Sequence, residues 1–454
     1  MGGNEMKIFN KKLAKILFAL FLSMLLIENA NALPSFARQT GMSCVACHTS
    51  FPELTPFGRE FKLNGYTLGD TQWFPFAVMA TASTTSLKNN DDGAGGKIIP
   101  RDGAVQLDAV SVFMAGKLND HIGGFVQFTE NNHPQNYGEP QHHSALDNTD
   151  LRAVYNLSAF DKNLLIGMTF NNSPGVQDVW NTGGAWSFPF NQSMVPGLPG
   201  STGLSGPLLD QGQPLAHTVA GLGGYFWWDR RLYGELTMYG NANRTLGFMS
   251  AGNSLNGAPI LEGHNNPYWR LAWNEEWGAN SLMVGTSGMR VGIESSTPGV
   301  VNRFTDVGVD TQYQHISDPH IFTAQASFLH ERQNYNDAVI TDNLNIFRAK
   351  ASYLYDRTYG ASLGFVNVTG TSDQSLYASA SCGSTSPDPL CNGNPGARYW
   401  ITELDYNFNP QVRLMVQYTI FTKLDQAALD PNSVGVIRKP SDNNTLWFST
   451  WFAI

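Results

Sequence analysis

From Trp73 to the C-terminus the chain is a series of short segments in which apolar and polar residues alternate, joined by connections that are in turn very short and long. Val412, Leu414, Val416, Tyr418 and Ile420 share one face of such a segment, against Arg413, Gln417, Thr419 and Lys423. Phe347, Ala349, Ala351, Tyr353 and Tyr355 likewise oppose Arg348, Lys350 and Ser352. A period of two marks β-strands with unlike faces. The tight connections are Asn119-Asp120, Asp161-Lys162, Asp229-Arg230, Gly278-Ala279, Ser317-Asp318-Pro319, Asp356-Arg357 and Asn409-Pro410. Longer polar or Gly/Pro-rich ones fall near 88–104, 131–148, 175–214, 245–265, 296–304, 335–342, 374–396 and 425–443. Seven short and eight long connections predict 16 antiparallel strands, with both ends of the sheet on the short-turn side.

Alternation alone does not say whether the apolar face points into a core or out to lipid. The N-terminus helps to decide. Lys7, Lys11, Lys12 and Lys15 precede the apolar run Ile16 to Ile27 and then Ala30-Asn31-Ala32. A basic region, a short apolar region and a small-x-small site predict a signal peptide over 1–32. The run is too short for a spanning helix, which needs roughly 20 residues. Without the signal the chain has 24 basic and 35 acidic residues, a net −11 over 422 residues. That balance argues against nucleic acid as a partner. Charged residues are 14% of the chain, against about 25% in ordinary soluble domains. An exported chain with few charges, many aromatics and alternating strands is expected to be all-β, a Gram-negative outer-membrane barrel whose outward face meets lipid. Its last strand, Thr445 to Ile454, puts Leu446, Phe448, Phe452 and Ile454 on one face and resembles a terminal barrel-assembly signal, with Ile where Phe is usual. The expected domains are 1–32, signal; 33–72, a small α-helical segment; and 73–454, the barrel.

The small segment carries the chemistry. Cys44-Val45-Ala46-Cys47-His48 is a C-x-x-C-H motif. Its spacing lets two thiols reach both vinyl groups of one haem while the imidazole takes an axial iron position. A thioredoxin-like pair would want a βαβ context, and a zinc site would want further ligands nearby. The other cysteines, Cys382 and Cys391, lie in a long connection and are expected to form a disulfide. After the motif, Thr55-Pro56 starts a helix that Asn64-Gly65 ends. Phe57 and Phe61 share one face of it, placed to pack the segment or cover a haem edge. The segment is too short for a core of its own. It is expected to act as a plug that borrows a wall from the barrel.

The run Leu33 to Leu68, LPSFARQTGMSCVACHTSFPELTPFGREFKLNGYTL, resembles the N-terminus of the fused monohaem cytochrome–porins of iron-oxidising bacteria. The resemblance implies one covalent haem c on Cys44 and Cys47, with His48 as proximal ligand. It also implies an Fe(II)-oxidising, electron-transferring oxidoreductase that draws electrons from extracellular Fe(II). A periplasmic cytochrome c is the expected acceptor, because one haem cannot span a bilayer core of about 30 Å. Another extracellular donor or acceptor, or a diffusion porin with a haem-bearing plug, are the alternatives. The second axial ligand is not legible. Met42 lies close to Cys44, while Met114 and Met415 fall on faces assigned to the lumen. Glu130, His133, Glu139, His142 and His143 cluster in the second long connection, either as a solvated polar loop or as a receiver of Fe²⁺.

Overall fold

The computed structural model describes residues 34–91, 97–99, 102–136, 139–193, 206–210, 215–242, 246–249, 259–377, 393–425 and 439–454. The expected signal peptide and the expected Cys382–Cys391 disulfide lie outside the described residues.

Sixteen strands follow in order. They are β1 (Phe76–Leu87), β2 (Val105–Lys117), β3 (Ile122–Asn136), β4 (Glu139–Ala159), β5 (Lys162–Asn171), β6 (Val219–Trp228), β7 (Leu232–Asn241) and β8 (Asn266–Trp277). Then come β9 (Asn280–Glu294), β10 (Val301–Ser317), β11 (His320–Tyr335), β12 (Ile340–Tyr355), β13 (Tyr359–Gly370), β14 (Ala397–Asn409), β15 (Val412–Leu424) and β16 (Thr445–Ala453). Each pairs antiparallel with its sequence neighbours, and β1 also pairs with β16, so the sheet closes into a barrel without edges. All seven tight connections fall where expected, to within a residue. Phe160-Asp161, Asp229-Arg230 and Asp356-Arg357 have left-handed φ at both positions, as two-residue turns need to match strand twist. The first of these turns sits one residue earlier than its sequence pattern suggests.

Two features of the barrel wall depart from the sequence reading. The connection near 131–148 is no loop, because β3 and β4 pair through it, with Asn131 opposite His143 and Asn132 opposite His142. Met114 points outward and is 51% exposed. A register shift in the β1–β2 pair, Thr81 facing Ala109 but Ala82 facing Leu107, leaves an extra residue at Asp108. That bulge reverses the in-out parity of everything after it.

The outward face is apolar. Leu107, Leu222, Leu236, Val284, Val309 and Leu404 are each more than half exposed on their strands. The inward face is polar and buried: Arg152, Glu235, Arg270, Asp310 and Gln314 are all below 10% exposure. These groups avoid the cost of buried charge by pairing. Arg152 meets Asp150 at 2.9 Å, and Arg270 meets Asp310 at 2.6 Å.

What they pack against comes from two other stretches of chain. The first is residues 34–72, with α1 (Ser35–Thr40), α2 (Cys44–Cys47) and α3 (Pro56–Leu63). Tyr66 donates its hydroxyl hydrogen to Asp150 of β4 at 2.8 Å, and Tyr225 of β6 donates to the Leu63 carbonyl at 2.7 Å. Arg59 donates to Ser281 of β9 and Gln314 of β10, at 3.1 and 2.6 Å. Lys350 of β12 pairs with Glu53, and Arg413 of β15 donates to the Phe51 carbonyl at 2.8 Å. Partners spread so far around the ring place this stretch inside it.

The second is residues 172–193, between β5 and β6, most of them buried and none exposed. Trp180 donates to Asn274 of β8 at 3.3 Å, and its carbonyl accepts from Gln312 of β10 and Gln325 of β11. Ser193 bonds Thr85 of β1 at 2.7 Å. The Asn191 carbonyl accepts from Gln417 of β15 at 3.3 Å. A segment that touches strands on all sides must cross the lumen. It also meets the first stretch, since Lys62 donates to the carbonyls of Val176 and Asp178, at 2.6 and 3.0 Å.

Candidate haem-attachment site

Cys44 to Cys47 form a single helical turn, closed by the His48 amide donating to the Cys44 carbonyl at 3.0 Å. That turn puts both thiols and the imidazole beside one cavity, and it is held by its neighbour. Thr55 accepts from the Gly58 amide at 3.1 Å, the N-cap expected of α3, and donates its own hydroxyl hydrogen to the Ala46 carbonyl at 2.6 Å. Its amide donates to the Cys47 carbonyl at 2.9 Å. Gly58 packs so closely that a Cβ there would collide with the same carbonyl. Thr55→Ala should cost about 1–2 kcal/mol locally, as lost caps do. Hydrogen exchange of the 46–58 amides should then quicken by a factor of about 5–30.

The loop after His48 is tied to the barrel. Asn181 donates to the Pro52 carbonyl at 3.2 Å and accepts from the Leu54 amide at 3.1 Å. Glu53, paired with Lys350, also accepts from the Thr49 hydroxyl at 3.1 Å. On the other side Arg357, in the tight turn after β12, donates to the Val45 carbonyl at 3.0 Å.

The cavity measures about 490 Å³, within the roughly 300–1,000 Å³ usual for cofactor sites. Its walls are largely apolar and include Phe36, Phe51, Phe61, Phe113, Trp186 and Trp451. Phe51 stands 5.4 Å from His48 and stacks on Trp451 at 5.6 Å, centre to centre. Phe61, one of the two aromatics expected to pack or cover, lines the cavity, while Phe57 does not. Asp356, Arg357 and Pro410 also line it, so the cavity lies at the short-turn rim.

Burial governs the titrating groups. It pulls His48 down to about 4, partly offset by the backbone of Pro52 and Glu53, so the imidazole is neutral at ordinary pH. Its Nδ1 is buried with no hydrogen-bond partner. Burial pushes the Cys47 thiol up to about 11, with Cys44 beside it adding to the effect. The two cysteines are unbonded to each other. Two free thiols, a neutral imidazole and flat apolar walls around one cavity form the donor set a c-type haem would need.

The remaining sequence candidates fare differently. Met415 faces inward as expected, but lines a small adjoining gap with Phe51, Lys350 and Glu403. Met114, on the outer wall, faces away from the cavity. Met79 was missed by sequence reasoning: it projects inward from β1 and lines the cavity. In the β3–β4 arm Ser144 bonds Glu130, while the side chains of His133, Glu139, His142 and His143 are outside the described set. Among the described residues no group of three or more His, Cys, Asp or Glu could hold a metal ion.

No family model and no curated protein matches the chain. Solved structures do. The outer-membrane channel DcaP of Acinetobacter baumannii is 10% identical, with a TM-score of 0.48 over 84% of this chain and 96% of that one. An anion-selective porin from Comamonas acidovorans is 9% identical, with a TM-score of 0.45 over 84% and 98%. OmpT of Vibrio cholerae is 10% identical, with a TM-score of 0.44 over 84% and 97%. At this level the likeness carries no argument about function, and the barrel rests on its own strand pairing.

Proposed function

We propose that this chain is an outer-membrane electron-transfer protein with one covalent haem c, attached through Cys44 and Cys47 and ligated by His48. The convergence of those three side chains on one largely apolar cavity carries the reading. The outward apolar face and polar interior support a location in the outer membrane, with the short turns periplasmic and the long loops extracellular.

When bound, the haem supplies a one-electron Fe(III)/Fe(II) couple. The rest is the work of this chain. Cys44 and Cys47 would hold the group at the mouth, and His48, kept neutral by burial, would offer its lone pair. Phe51, Phe61 and Trp451 exclude water from the cavity. Residues 172–193 fill the lumen above. Extracellular Fe(II), the donor the N-terminal resemblance implies, would be the source of electrons and a periplasmic cytochrome c their acceptor. With the cavity at the short-turn rim, those electrons would have to cross the filled lumen to reach it. The cavity's position beside Asp356, Arg357 and Pro410 suits an acceptor docking at the short-turn rim. A haem stain at the full chain's mass on a denaturing gel is expected. An unmodified Cys44–Cys47 peptide by mass spectrometry, from cells competent in haem attachment, would overturn the reading.

A second reading is a solute channel of the outer membrane, because barrels of 16 strands are wide enough for one. The barrel size favours it; the buried segment 172–193, crossing the lumen, weighs against it. Bilayer conductance decides between them.

A further inference from the structure

A haem held by His48 on one face leaves the iron a second axial position. We infer that Met79 of β1 fills it; the inference rests on the haem reading above.

The cavity wall offers few groups able to ligate iron beyond the C-x-x-C-H motif: Lys62, Tyr66, Asp356, Met42 and Met79. Asp356 sits exposed in the tight turn at the rim, and a hard carboxylate would favour ferric iron, the opposite of what an acceptor of electrons from Fe(II) needs. Lys62 is already engaged. Its ammonium donates to the carbonyls of Val176 and Asp178 and sits 4.9 Å from the centre of the Trp186 ring. To reach an iron it would have to abandon two buried carbonyl acceptors, which is costly. Tyr66 gives its hydroxyl hydrogen to Asp150 at 2.8 Å, and burial together with the Asp150 charge raises its pKa well above the ordinary value, which opposes phenolate ligation. Two thioethers remain, and neither needs a proton or a hydrogen-bond partner.

They differ in where they come from. Met42 precedes Cys44 by two residues, in the link between α1 and α2, and is 43% exposed. The thioether bonds to Cys44 and Cys47 would hold α2 at the edge of the macrocycle, on the side His48 approaches from. Met79 comes from the barrel. It pairs with Ala453 and Ser111, which places it one step along the lumen face from Trp451, the ring that stacks on Phe51. The N-terminal segment thus brings His48 to the cavity, and β1 brings Met79 to the same cavity from the barrel wall. The ligand set would be completed only when the segment docks in the barrel. A thioether is a soft ligand that favours the reduced iron and raises the potential, which suits an acceptor of electrons from Fe(II).

The test uses the full-length, haem-loaded protein in detergent. Met79→Leu keeps volume and apolarity, so the barrel should be retained, and Met79→His offers a different ligand at the same place. Ferric wild-type protein should show the weak long-wavelength sulfur-to-iron band of a His/Met haem. That band should vanish in Met79→Leu with a fall in midpoint potential, and persist in Met42→Leu. Met79→His should give a low-spin bis-imidazole spectrum. Persistence of the band in Met79→Leu, its loss in Met42→Leu, or its absence from the wild type would each overturn the assignment. Wild-type protein that carries haem but lacks the band refutes the ligand alone, whereas protein without covalent haem refutes the function as well.

Discussion

Replacing Cys44 and Cys47 together by serine abolishes covalent haem attachment and reduces Fe(II)-dependent absorbance change to the level of a protein-free control. The barrel itself should survive. None of its strand pairs involves the C-x-x-C-H turn, and a thiol-to-hydroxyl change at two half-buried positions removes no bond that spans the lumen. Folding is checked by the slower gel mobility that an unfolded barrel acquires on heating. A double variant that still stains for haem, or still takes electrons from Fe(II), would contradict the assignment of the site.

The second large effect concerns the lumen. Shortening residues 175–190 to a brief Gly-Ser link should turn a closed barrel into a conducting one, read as single-channel conductance in a planar bilayer. The segment brings Val176, Val179 and Trp180 into the interior, all at or below 1% exposure. It is held there by charge as well as packing. Asp178 accepts from the amides of Trp180, Thr182 and Gly183 and faces Arg270, which in turn pairs with Asp310. Arg270→Met would strand two buried carboxylates, and breaking buried pairs in this way costs about 3–5 kcal/mol. That variant should lower the denaturation midpoint and make the barrel leak intermittently. A wild-type protein with steady porin-like conductance would favour the solute-channel reading instead.

Much of the wall was legible because a strand repeats every two residues and a tight turn declares itself. Val412 to Ile420 and Phe347 to Tyr355 read the same in sequence and in space. Parity is also where sequence reasoning failed. One extra residue at Asp108 reverses the faces of β2 and carries Met114 to the outside, and no composition rule announces a bulge. The long arm of β3 and β4 was hidden by its polarity, since backbone pairing there does not depend on an apolar face. The lumen-crossing segment was read only as one more long, polar or Gly/Pro-rich connection. Its Val176, Val179, Trp180, Trp186 and Phe190 were the contrary signal, being too apolar for a solvated connection. Met79 went unnoticed for a related reason. Its neighbours on the lumen face, Ala77, Thr81 and Ser83, are small, so it shows no pattern of its own until the N-terminal segment is set against it.

The site itself was legible as chemistry and not as place. C-x-x-C-H names its donors, and Thr55-Pro56 names the helix that pins them through Ala46 and Gly58. That Arg357 would anchor the same turn, and Lys350, Asn181 and Arg413 the loop after it, follows only from closure of the barrel, which gathers residues more than a hundred positions apart.

The most direct measurement of the central claim is visible spectroscopy of intact outer-membrane vesicles, oriented with the long loops outward, as Fe²⁺ is added from outside. The predicted result is the sharp α-band of reduced c-type haem, growing with Fe²⁺ and decaying when an oxidised periplasmic cytochrome is supplied inside. Vesicles that hold the haem-loaded protein yet show no reduction by external Fe²⁺ would contradict the account.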